Sequence, residues 1–552
     1  MEITNFIKLY EKSFRENWEL PALSDYVTGK TINYSELAIN IAKMHLLFNN
    51  MGIKPGAKIA ICGRDSMNWV MVYLATVTYG AVIVPILAEF NPHDVTHIVN
   101  HSEAELLFVS KSVWEPMEPD MLLNLKGVLS IEDFKCLEER PGFEMNRTLR
   151  LLTRRFRSLY PHGYRPENVC YIDRDNSEVV EINYTSGTTG FSKGVMLTGE
   201  NLAGNVCFGI DTQLHFRSSR ALAFLPMAHA YGCAFDMLTP MAVGSHVTIL
   251  GKIPSPRILI QAMNQVRPNL VICVPLILEK IYKNQILPMI SKGAVRWTLA
   301  VPFLDSYIYA KIRRKLVDAF GGNFEQVIVG GAPLNHEVEE FLHKIKFPFT
   351  VGYGMTECGP LISYTHWKKF VPGSSGRLLP DMEAMILSDD PEHTPGEICV
   401  KGPNVMKGYY KNPQATEQVL DDKGWLKTGD MGTMTPDGTL FLRGRSKTMI
   451  LSASGQNIYP EEIEAKLNNM PFVAESLVVE RDGKLVALVY PDFDALDRLE
   501  VPVTDMDNTM ENIRKELNGL VAPYERISKI ILMPNEFQKT PKRSIKRFLY
   551  TR

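Results

Sequence analysis

Short runs rich in valine and isoleucine, separated by stretches of helical character, most restrict the fold of this 552-residue chain. Such strand-like runs occur at Lys58–Cys62, Ala81–Ile86, Leu106–Val109, Val247–Leu250, Leu270–Cys273 and Gln326–Val329. An alternation of helices with buried strands is typical of parallel sheets covered by helices. The sequence therefore predicts an α/β fold for the larger, N-terminal part of the chain.

The character of the sequence changes from about residue 370, where proline, glycine and aspartate become frequent. Further along, Asp482–Gly483 predicts a β-hairpin, with helical patterns on either side of it. We expect a large N-terminal domain over residues 1–443, which ends in a small β-rich subdomain. A small mobile α+β domain is expected over residues 444–552.

The net charge and the cysteines argue against several classes of protein. A formal net charge of −2 gives no general attraction to nucleic acid. The eight cysteines form no C-x-x-C pair, which argues against a zinc site or a thiol redox motif. Dispersed thiols suit the reducing cytoplasm, and the first residues lack the pattern of a secretory signal. We therefore expect a cytoplasmic protein that does not bind nucleic acid.

One stretch, Trp69–Leu87, imitates a membrane span because it is uncharged and about long enough to cross a bilayer. Gly80 is expected to end a helix within this stretch, and Ala81–Pro85 resembles a buried strand. A helix followed by a core strand is common in α/β proteins, so we prefer that interpretation to a transmembrane helix.

The segment Tyr184–Gly194 combines three glycines, several hydroxyl residues and one lysine. Glycines let backbone N–H groups converge on an anion, hydroxyls add hydrogen bonds, and Lys193 supplies positive charge. This chemistry suits a polyphosphate, although the spacing of a Walker A loop is absent. The predicted contacts are Thr185, Ser186, Gly187, Thr188, Thr189, Gly190 and Lys193.

The same segment contains a competing motif. Gly190–Gly194 fits the G-x-S-x-G nucleophile elbow of α/β-hydrolases. An elbow requires a strand immediately before the serine, whereas a run of Ser, Thr and Gly precedes Ser192. The polyphosphate loop is therefore the preferred interpretation, and the hydrolase is the alternative.

With this loop and further ordered motifs, nearly the whole chain resembles the adenylate-forming superfamily of acyl-CoA synthetases, firefly luciferase and peptide-synthetase adenylation domains. The motifs are Ile32–Leu37, Leu225–Gly232, Gly330–Leu334, Gly352–Glu357, Trp425–Asp430, Leu442–Lys447, Gly455–Pro460 and a basic C-terminal segment. The chain looks most similar to long-chain fatty acid–CoA ligases. The resemblance implies synthesis of an acyl-CoA from a medium- or long-chain fatty acid, through an acyl-adenylate, with ATP, Mg²⁺ and coenzyme A.

The resemblance also implies roles for residues around the nucleotide. The adenine side is expected to include Gly331, Ala332, Pro333, Tyr353 and Gly354. Thr356 is expected to contact the α-phosphate, and Glu357 to hold Mg²⁺, which prefers hard carboxylate oxygens. Asp430 is expected to accept hydrogen bonds from the ribose, with Arg445 reaching the ribose or a phosphate.

Three further roles follow from the resemblance. His229 is expected near the acyl pocket, although a purely structural role is an equal alternative. Gly455 is expected to leave room for the pantetheine arm of coenzyme A. Lys447 is expected at the hinge about which the C-terminal domain rotates between the two half-reactions.

The chain departs from the superfamily pattern at the C-terminal catalytic lysine. When the segment is aligned on Lys539–Pro541, Ser544 occupies the usual lysine position. Lys542 and Lys546 lie two residues to either side and would point the same way if the segment were extended. Either lysine is therefore a candidate substitute in the adenylation step.

Composition predicts a basic amphipathic helix between residues 147 and 157. Its arginines are Arg147, Arg150, Arg154 and Arg157, and its apolar residues are Leu149, Leu152 and Phe156. Such a helix suits an anionic membrane surface, which would place the protein peripherally at the inner membrane. The alternative, a solvated surface helix or a loop, is the preferred interpretation.

Two other functions remain open at this point. The first is an enzyme that loads an acyl group onto a carrier protein. Gly63–Ser66 superficially resembles a carrier attachment site, but it lies within an α/β region and is dismissed. The second is an acyl or nucleotide binder that has lost catalysis with its lysine.

Overall fold

Helices accompany the strands along most of the chain. The computed structural model describes residues 3–185, 192–290, 304–451, 456–498, 505–540 and 544–551. Its longer α-helices span Phe6–Glu16, Tyr34–Asn50, Met67–Tyr79, Pro92–Ser102, Met145–Leu159, Gly199–Asp211, Pro256–Val266, Leu304–Ala319, His336–Lys344, Pro460–Leu467 and Met506–Leu520. Shorter α-helices span Lys111–Trp114, Ala230–Gly232, Thr239–Val243, Pro275–Ile281, Leu287–Ile290, Pro413–Glu417 and Phe493–Arg498.

An eight-stranded sheet forms the centre of the N-terminal part. In spatial order its strands are Gly408–Tyr409, Lys193–Thr198, Val179–Thr185, Val82–Ile86, Lys58–Cys62, Ala104–Val109, Gly127–Ser130 and Cys136–Glu139. The central strands are parallel, as the valine- and isoleucine-rich runs predicted. Both edges are antiparallel, so the sheet is mixed.

Smaller sheets surround this one. A four-stranded sheet contains Arg220–Ala223, His246–Ile249, Pro21–Asp25 and Thr31–Asn33, and a parallel three-stranded sheet contains Val271–Cys273, Val327–Val329 and Phe349–Val351. An antiparallel four-stranded sheet contains Glu383–Leu387, Gly396–Lys401, Leu426–Met434 and Leu440–Arg445. Short pairs join Tyr353–Gly354 to Leu361–Ser363 and Ile450–Leu451 to Asn457–Ile458. The last sheet contains Val473–Arg481, Lys484–Pro491 and Lys529–Leu532.

The uncharged stretch after Trp69 contains a helix and a strand. The helix Met67–Tyr79 ends at Gly80, whose φ of 86° is the left-handed conformation that favours glycine at a C-cap. The strand Val82–Ile86 follows and is buried along its whole length. In the part of the chain that the structure describes, no helix is long and apolar enough to cross a membrane.

Buried apolar residues form one large core between Phe6 and Leu440 and two smaller ones after it. The smaller cores lie on opposite faces of the C-terminal sheet, since Val478 packs into one and Leu477 and Val479 into the other. The α/β fold class with helix-covered sheets is thereby confirmed. The domain boundary at residue 443 stays a prediction.

Candidate active site

The ends of the predicted polyphosphate loop are held by two antiparallel strands. Val179–Thr185 pairs with Lys193–Thr198, with Thr185 opposite Lys193. The predicted contacts Ser186, Gly187, Thr188, Thr189 and Gly190 lie outside the described residues. Because Lys193 begins a strand and not a helix, the strand–turn–helix geometry of a nucleophile elbow is wrong for this segment.

Two nucleotide motifs follow neighbouring parallel strands and therefore lie at the same sheet edge. The strands Val327–Val329 and Phe349–Val351 are adjacent, and ligands bind at such carboxyl ends in α/β sheets. After the first strand, Gly331 has a φ of 84°, and it is exposed together with Ala332 and Pro333. After the second strand come Tyr353, exposed Gly354, and Thr356, which is buried at the start of a single helical turn.

A buried carboxylate joins two of the nucleotide motifs. Asp430 is 7 % exposed, and its Oδ2 accepts a hydrogen bond of 2.7 Å from the Tyr353 hydroxyl. Its Oδ1 lies 3.1 Å from Arg445 Nε, in an ion pair between adjacent antiparallel strands. Burial raises the pKa of Asp430, although Arg445 and Tyr353 favour the charged form. A carboxylate offers about four lone-pair positions, so both oxygens still have capacity for ribose hydroxyls.

Glu357 and Lys193 meet at a residue to which the sequence motifs assigned no role. The Tyr409 hydroxyl donates a hydrogen bond of 2.9 Å to Glu357 Oε1. The ammonium nitrogen of Lys193 lies 4.8 Å from the centroid of the Tyr409 ring, in a cation–π contact. The carboxylate expected to hold Mg²⁺ and the lysine of the polyphosphate loop therefore contact one side chain.

His229 lies on a loop that two polar side chains hold from different directions. The Met227 N–H donates to Asp65 Oδ1 at 3.0 Å, and Asn183 Nδ2 donates to the Ala228 carbonyl at 3.2 Å. Asn183 is buried on the strand that leads into the polyphosphate loop. The His229 loop is thus tied to the strand that carries Thr185.

The segment Gly63–Ser66 has a structural role. Ser66 caps the helix Met67–Tyr79, because its side chain accepts a hydrogen bond from the Trp69 N–H at 3.1 Å. The neighbouring Asp65 holds the loop of His229. The dismissal of a carrier attachment site is consistent with these contacts.

Lys447 lies in an exposed turn between the two parts of the chain. Residue Gly455, expected at the pantetheine arm, lies outside the described residues. Two contacts join the residues around this turn to the helix Pro460–Leu467 and the residue before it. Thr448 Oγ1 donates to Glu461 Oε1 at 2.7 Å, and the Tyr459 ring covers Gly444.

The described ends of the C-terminal basic segment pair with each other. Lys539 pairs antiparallel with Ile545, and the Thr540 N–H donates to the Ser544 carbonyl at 2.8 Å, so the chain doubles back. Ser544 is exposed, and Lys542 lies outside the described residues.

Lys546 stands on the return arm of this hairpin. Its N–H donates to the Gln538 carbonyl at 2.8 Å. In the described part of the chain, no side-chain contact joins Lys546 to Tyr353 or Asp430. The structure therefore brings Tyr353, Asp430 and Arg445 together, and it does not join Lys546 to them by a contact between described side chains.

The comparisons with known proteins agree with this geometry. A sequence model of the family described as AMP-binding enzyme matches residues 10–410. The long-chain-fatty-acid–CoA ligase FadD15 of Mycobacterium bovis is 27% identical over 94% of this chain and 90% of its own. The peroxisomal long chain acyl-CoA synthetase 6 of Arabidopsis thaliana is 31% identical over 81% of this chain and 66% of its own. The crystal structure of ATP-bound MatB from Rhodopseudomonas palustris shares the fold, with a TM-score of 0.76 at 24% identity over 98% of both chains.

Proposed function

The chain belongs to the AMP-binding enzyme family, and on that premise we propose that it is an ATP-dependent acyl-CoA synthetase, an AMP-forming acid–thiol ligase. Its proposed substrate is a medium- or long-chain fatty acid, and two of the ligases similar to it are named for long-chain acids. The observation that carries the proposal is the contact of buried Asp430 with Tyr353 and with exposed Arg445, which joins motifs that lie apart in sequence.

The first half-reaction forms the acyl-adenylate. A carboxylate oxygen of the fatty acid attacks the α-phosphorus of ATP, and the bond to the bridging oxygen breaks, which releases pyrophosphate. Negative charge grows on the phosphoryl oxygens, so catalysis depends on positioning and on electrostatic stabilisation. Asp430 anchors the ribose, Thr356 contacts the α-phosphate, and Lys193 together with the polyphosphate loop supports the pyrophosphate.

The described residues can hold Mg²⁺ only together with ATP, whose phosphates would supply the other ligands. Among the described residues, no group of three or more His, Cys, Asp or Glu side chains could hold a metal ion. Glu357 offers one hard carboxylate, and Mg²⁺ in nucleotide sites is commonly held by one or two carboxylates plus substrate phosphates. When bound, the ion would neutralise charge on the phosphates, and Glu357 would hold it in place.

The second half-reaction forms the thioester. The thiol sulfur of coenzyme A attacks the acyl carbon, the acyl–phosphate bond breaks, and AMP leaves as the thiol proton is released. His229, near the acyl pocket, and the segment around Gly455, near the pantetheine arm, are the residues proposed to border this reaction.

The test of the proposed function is pyrophosphate release across fatty acids of increasing chain length, with and without coenzyme A. We expect acid-dependent release, and acyl-CoA as the product identified by mass spectrometry. Turnover that instead requires an acyl carrier protein would favour a carrier-loading enzyme. Absence of pyrophosphate release with every acid would favour a non-catalytic binder.

We also propose peripheral contact with an anionic membrane surface, where a fatty acid substrate partitions, by a protein located in the cytoplasm. The helix Met145–Leu159 buries Phe156 against the body and turns its arginines outward. The exposed side chains of Arg150, Arg154, Arg155 and Arg157 form no ion pair within the described residues, whereas Arg147 pairs with Glu144. Each unpaired arginine near an anionic surface contributes about 1 kcal/mol.

Vesicle co-sedimentation tests this contact. We expect binding to vesicles that contain phosphatidylserine, and its loss when Arg150, Arg154 and Arg157 are changed to Gln or when salt is raised. The matched control changes three exposed basic residues of another helix, Lys311, Arg314 and Lys315, to Gln. Binding that survives the first triple change, or that is lost equally with the control, would contradict the proposal.

A further inference from the structure

Tyr409 contacts both charged groups on which the proposed first half-reaction depends. We propose that Tyr409 is a positioning residue, which holds Glu357 ready for Mg²⁺ and Lys193 ready for the phosphates of ATP. This inference rests on the proposed function and deepens it, since it concerns the same site.

The backbone around Tyr409 is tied to both partners. The N–H of Met406 donates to the carbonyl of Glu357 at 2.8 Å, just before Tyr409 in the chain. The N–H of Tyr410 donates to the carbonyl of Gly194 at 2.7 Å, just after it. Gly194 is the neighbour of Lys193, so this short segment spans from the Glu357 turn to the strand of the polyphosphate loop.

The side chain of Tyr409 completes this bridge. It is 7 % exposed, and its hydroxyl donates to Glu357 Oε1. A donor on one carboxylate oxygen fixes the orientation of the carboxylate and leaves Oε2 for a metal ion. The face of the same ring attracts the ammonium group of Lys193.

The arrangement also keeps two opposite charges apart. Lys193 contacts the ring of Tyr409 and Glu357 contacts its hydroxyl, yet in the described residues the two charged groups form no ion pair with each other. A direct pair would occupy both the cation that the phosphates require and the carboxylate that the metal requires. With the hydroxyl removed, Glu357 is free to turn toward Lys193, and both groups are withdrawn from the nucleotide.

The experiment compares Tyr409→Phe with Tyr410→Phe. The first variant keeps the ring over Lys193 and loses only the donor to Glu357. The control removes the adjacent hydroxyl, which donates to Glu103 Oε2 at 3.0 Å, away from both groups. ATP binding is measured by calorimetry without fatty acid, so that no turnover occurs, at a series of Mg²⁺ concentrations.

For Tyr409→Phe, we expect the Mg²⁺ concentration that half-saturates ATP binding to rise about 10-fold, as is usual when a residue that orients a metal ligand is lost. The KM for the fatty acid and the thermal midpoint should stay within error of the wild type. Tyr410→Phe should match the wild type in all three measurements. An unchanged Mg²⁺ titration for Tyr409→Phe, or an equal change in the control, overturns the proposal.

A double variant separates positioning from general loosening. If Tyr409 acts through Glu357, Tyr409→Phe should shift the Mg²⁺ titration by less than about twofold when Glu357→Gln is already present. A full additional shift means that the tyrosine acts independently of Glu357, which contradicts the inference. If the wild type releases no pyrophosphate with any acid, both the proposed function and this inference fail. If the wild type is active and Tyr409→Phe has the wild-type Mg²⁺ titration, only this inference fails.

Discussion

Asp430 is the residue on which nucleotide binding should depend most, because it is buried and holds both Tyr353 and Arg445. We expect Asp430→Ala to lower the affinity for ATP. The loss of hydrogen bonds to a charged group costs about 1.5–3 kcal/mol, which corresponds to about 10- to 150-fold in affinity. Calorimetric titration with ATP and the KM for ATP in pyrophosphate release measure the effect.

The matched control for this prediction is Asp389→Ala, which removes an exposed aspartate elsewhere in the N-terminal part. It should leave ATP affinity unchanged. Wild-type affinity and turnover in Asp430→Ala would mean that the ribose role taken from the resemblance is wrong.

At the residue scale, the sequence motifs predicted site residues such as Asp430 and Glu357 but did not indicate the side chains that contact them. Asp430 and Glu357 lie within short motifs of glycine and aromatic residues, so their chemistry can be predicted from neighbouring residues in the sequence. Tyr409 has no such pattern, and its partner Glu357 lies 52 positions away. Asp65 likewise holds the N–H of Met227 across 162 positions. Ordinary residue types that meet only after folding leave no local signal.

Among the connecting segments, the turn at Lys447 is expected to be the pivot of the C-terminal domain. Lys447→Pro fixes φ near −65° and removes an N–H, which hinders movement between two backbone states. We expect adenylate formation to survive better than thioester formation. The two steps are measured separately, by acid-dependent exchange of pyrophosphate into ATP and by transfer from a supplied acyl-adenylate to coenzyme A.

The control for the pivot is Lys447→Ala, which removes the charge and keeps the backbone free to move. It should retain both half-reactions. Equal loss of both steps in Lys447→Pro would show that Lys447 is not the pivot.

The helix Pro460–Leu467 carries a buried carboxylate that should make stability depend on pH. Burial raises the pKa of Glu464 from 4.5 to about 7, although Arg547 beside it favours the charged form. Between these values the native state binds the proton more tightly than the unfolded state does. The free energy of unfolding therefore falls as pH rises from 4.5 to 7, by up to about 1.4 kcal/mol per pH unit.

We expect Glu464→Gln to flatten this dependence, because the amide does not titrate. Thermal midpoints at pH 5, 6, 7 and 8 measure the slope for each protein. Glu480→Gln, at an exposed position on the following strand, should keep the wild-type slope. A variant Glu464→Gln with the slope of the wild type would assign the dependence to other groups.

At the scale of elements, strands form where the sequence has continuous apolar runs that are buried, as in Lys58–Cys62 and Val327–Val329. The hairpin at Asp482–Gly483 also forms as predicted. The reversal between Lys539 and Ile545 was missed, because the basic residues there carry no apolar alternation and the pairing involves few residues. Periodicity reports burial, so an exposed element leaves a weak pattern.

At the scale of the whole molecule, the two parts of the chain meet through several polar contacts. Asn335 Nδ2 donates to the Ala465 carbonyl at 2.9 Å, and Lys283 Nζ donates to the Val473 carbonyl at 2.8 Å. In this arrangement Glu461, close in sequence to the expected pantetheine contact, lies beside the turn of Lys447. Within the residues that the structure describes, Lys546 forms no hydrogen bond or ion pair with Asp430.

The prediction for the catalytic lysine therefore requires the C-terminal domain to move. A hydroxyl at Ser544 cannot replace an ammonium group that faces the developing charge on the phosphate. Loss of one such contact costs about 2.7–4 kcal/mol, by analogy with the removal of one oxyanion donor. Either adenylation is slow in this protein, or another lysine reaches the nucleotide after the C-terminal domain rotates.

We favour Lys546 as that lysine, with Lys542 as the second candidate. The backbone hydrogen bond from Lys546 to Gln538 holds Lys546 on the return arm of a hairpin. Its backbone position is therefore defined. We expect Lys546→Ala to lower adenylation by about 10²–10³-fold, while transfer of a supplied acyl-adenylate to coenzyme A continues. Lys542→Ala and Ser544→Lys are assayed in parallel for both half-reactions. Full adenylation in both alanine variants would exclude either lysine as the catalyst, and activity that appears only in Ser544→Lys would identify the natural protein as a binder.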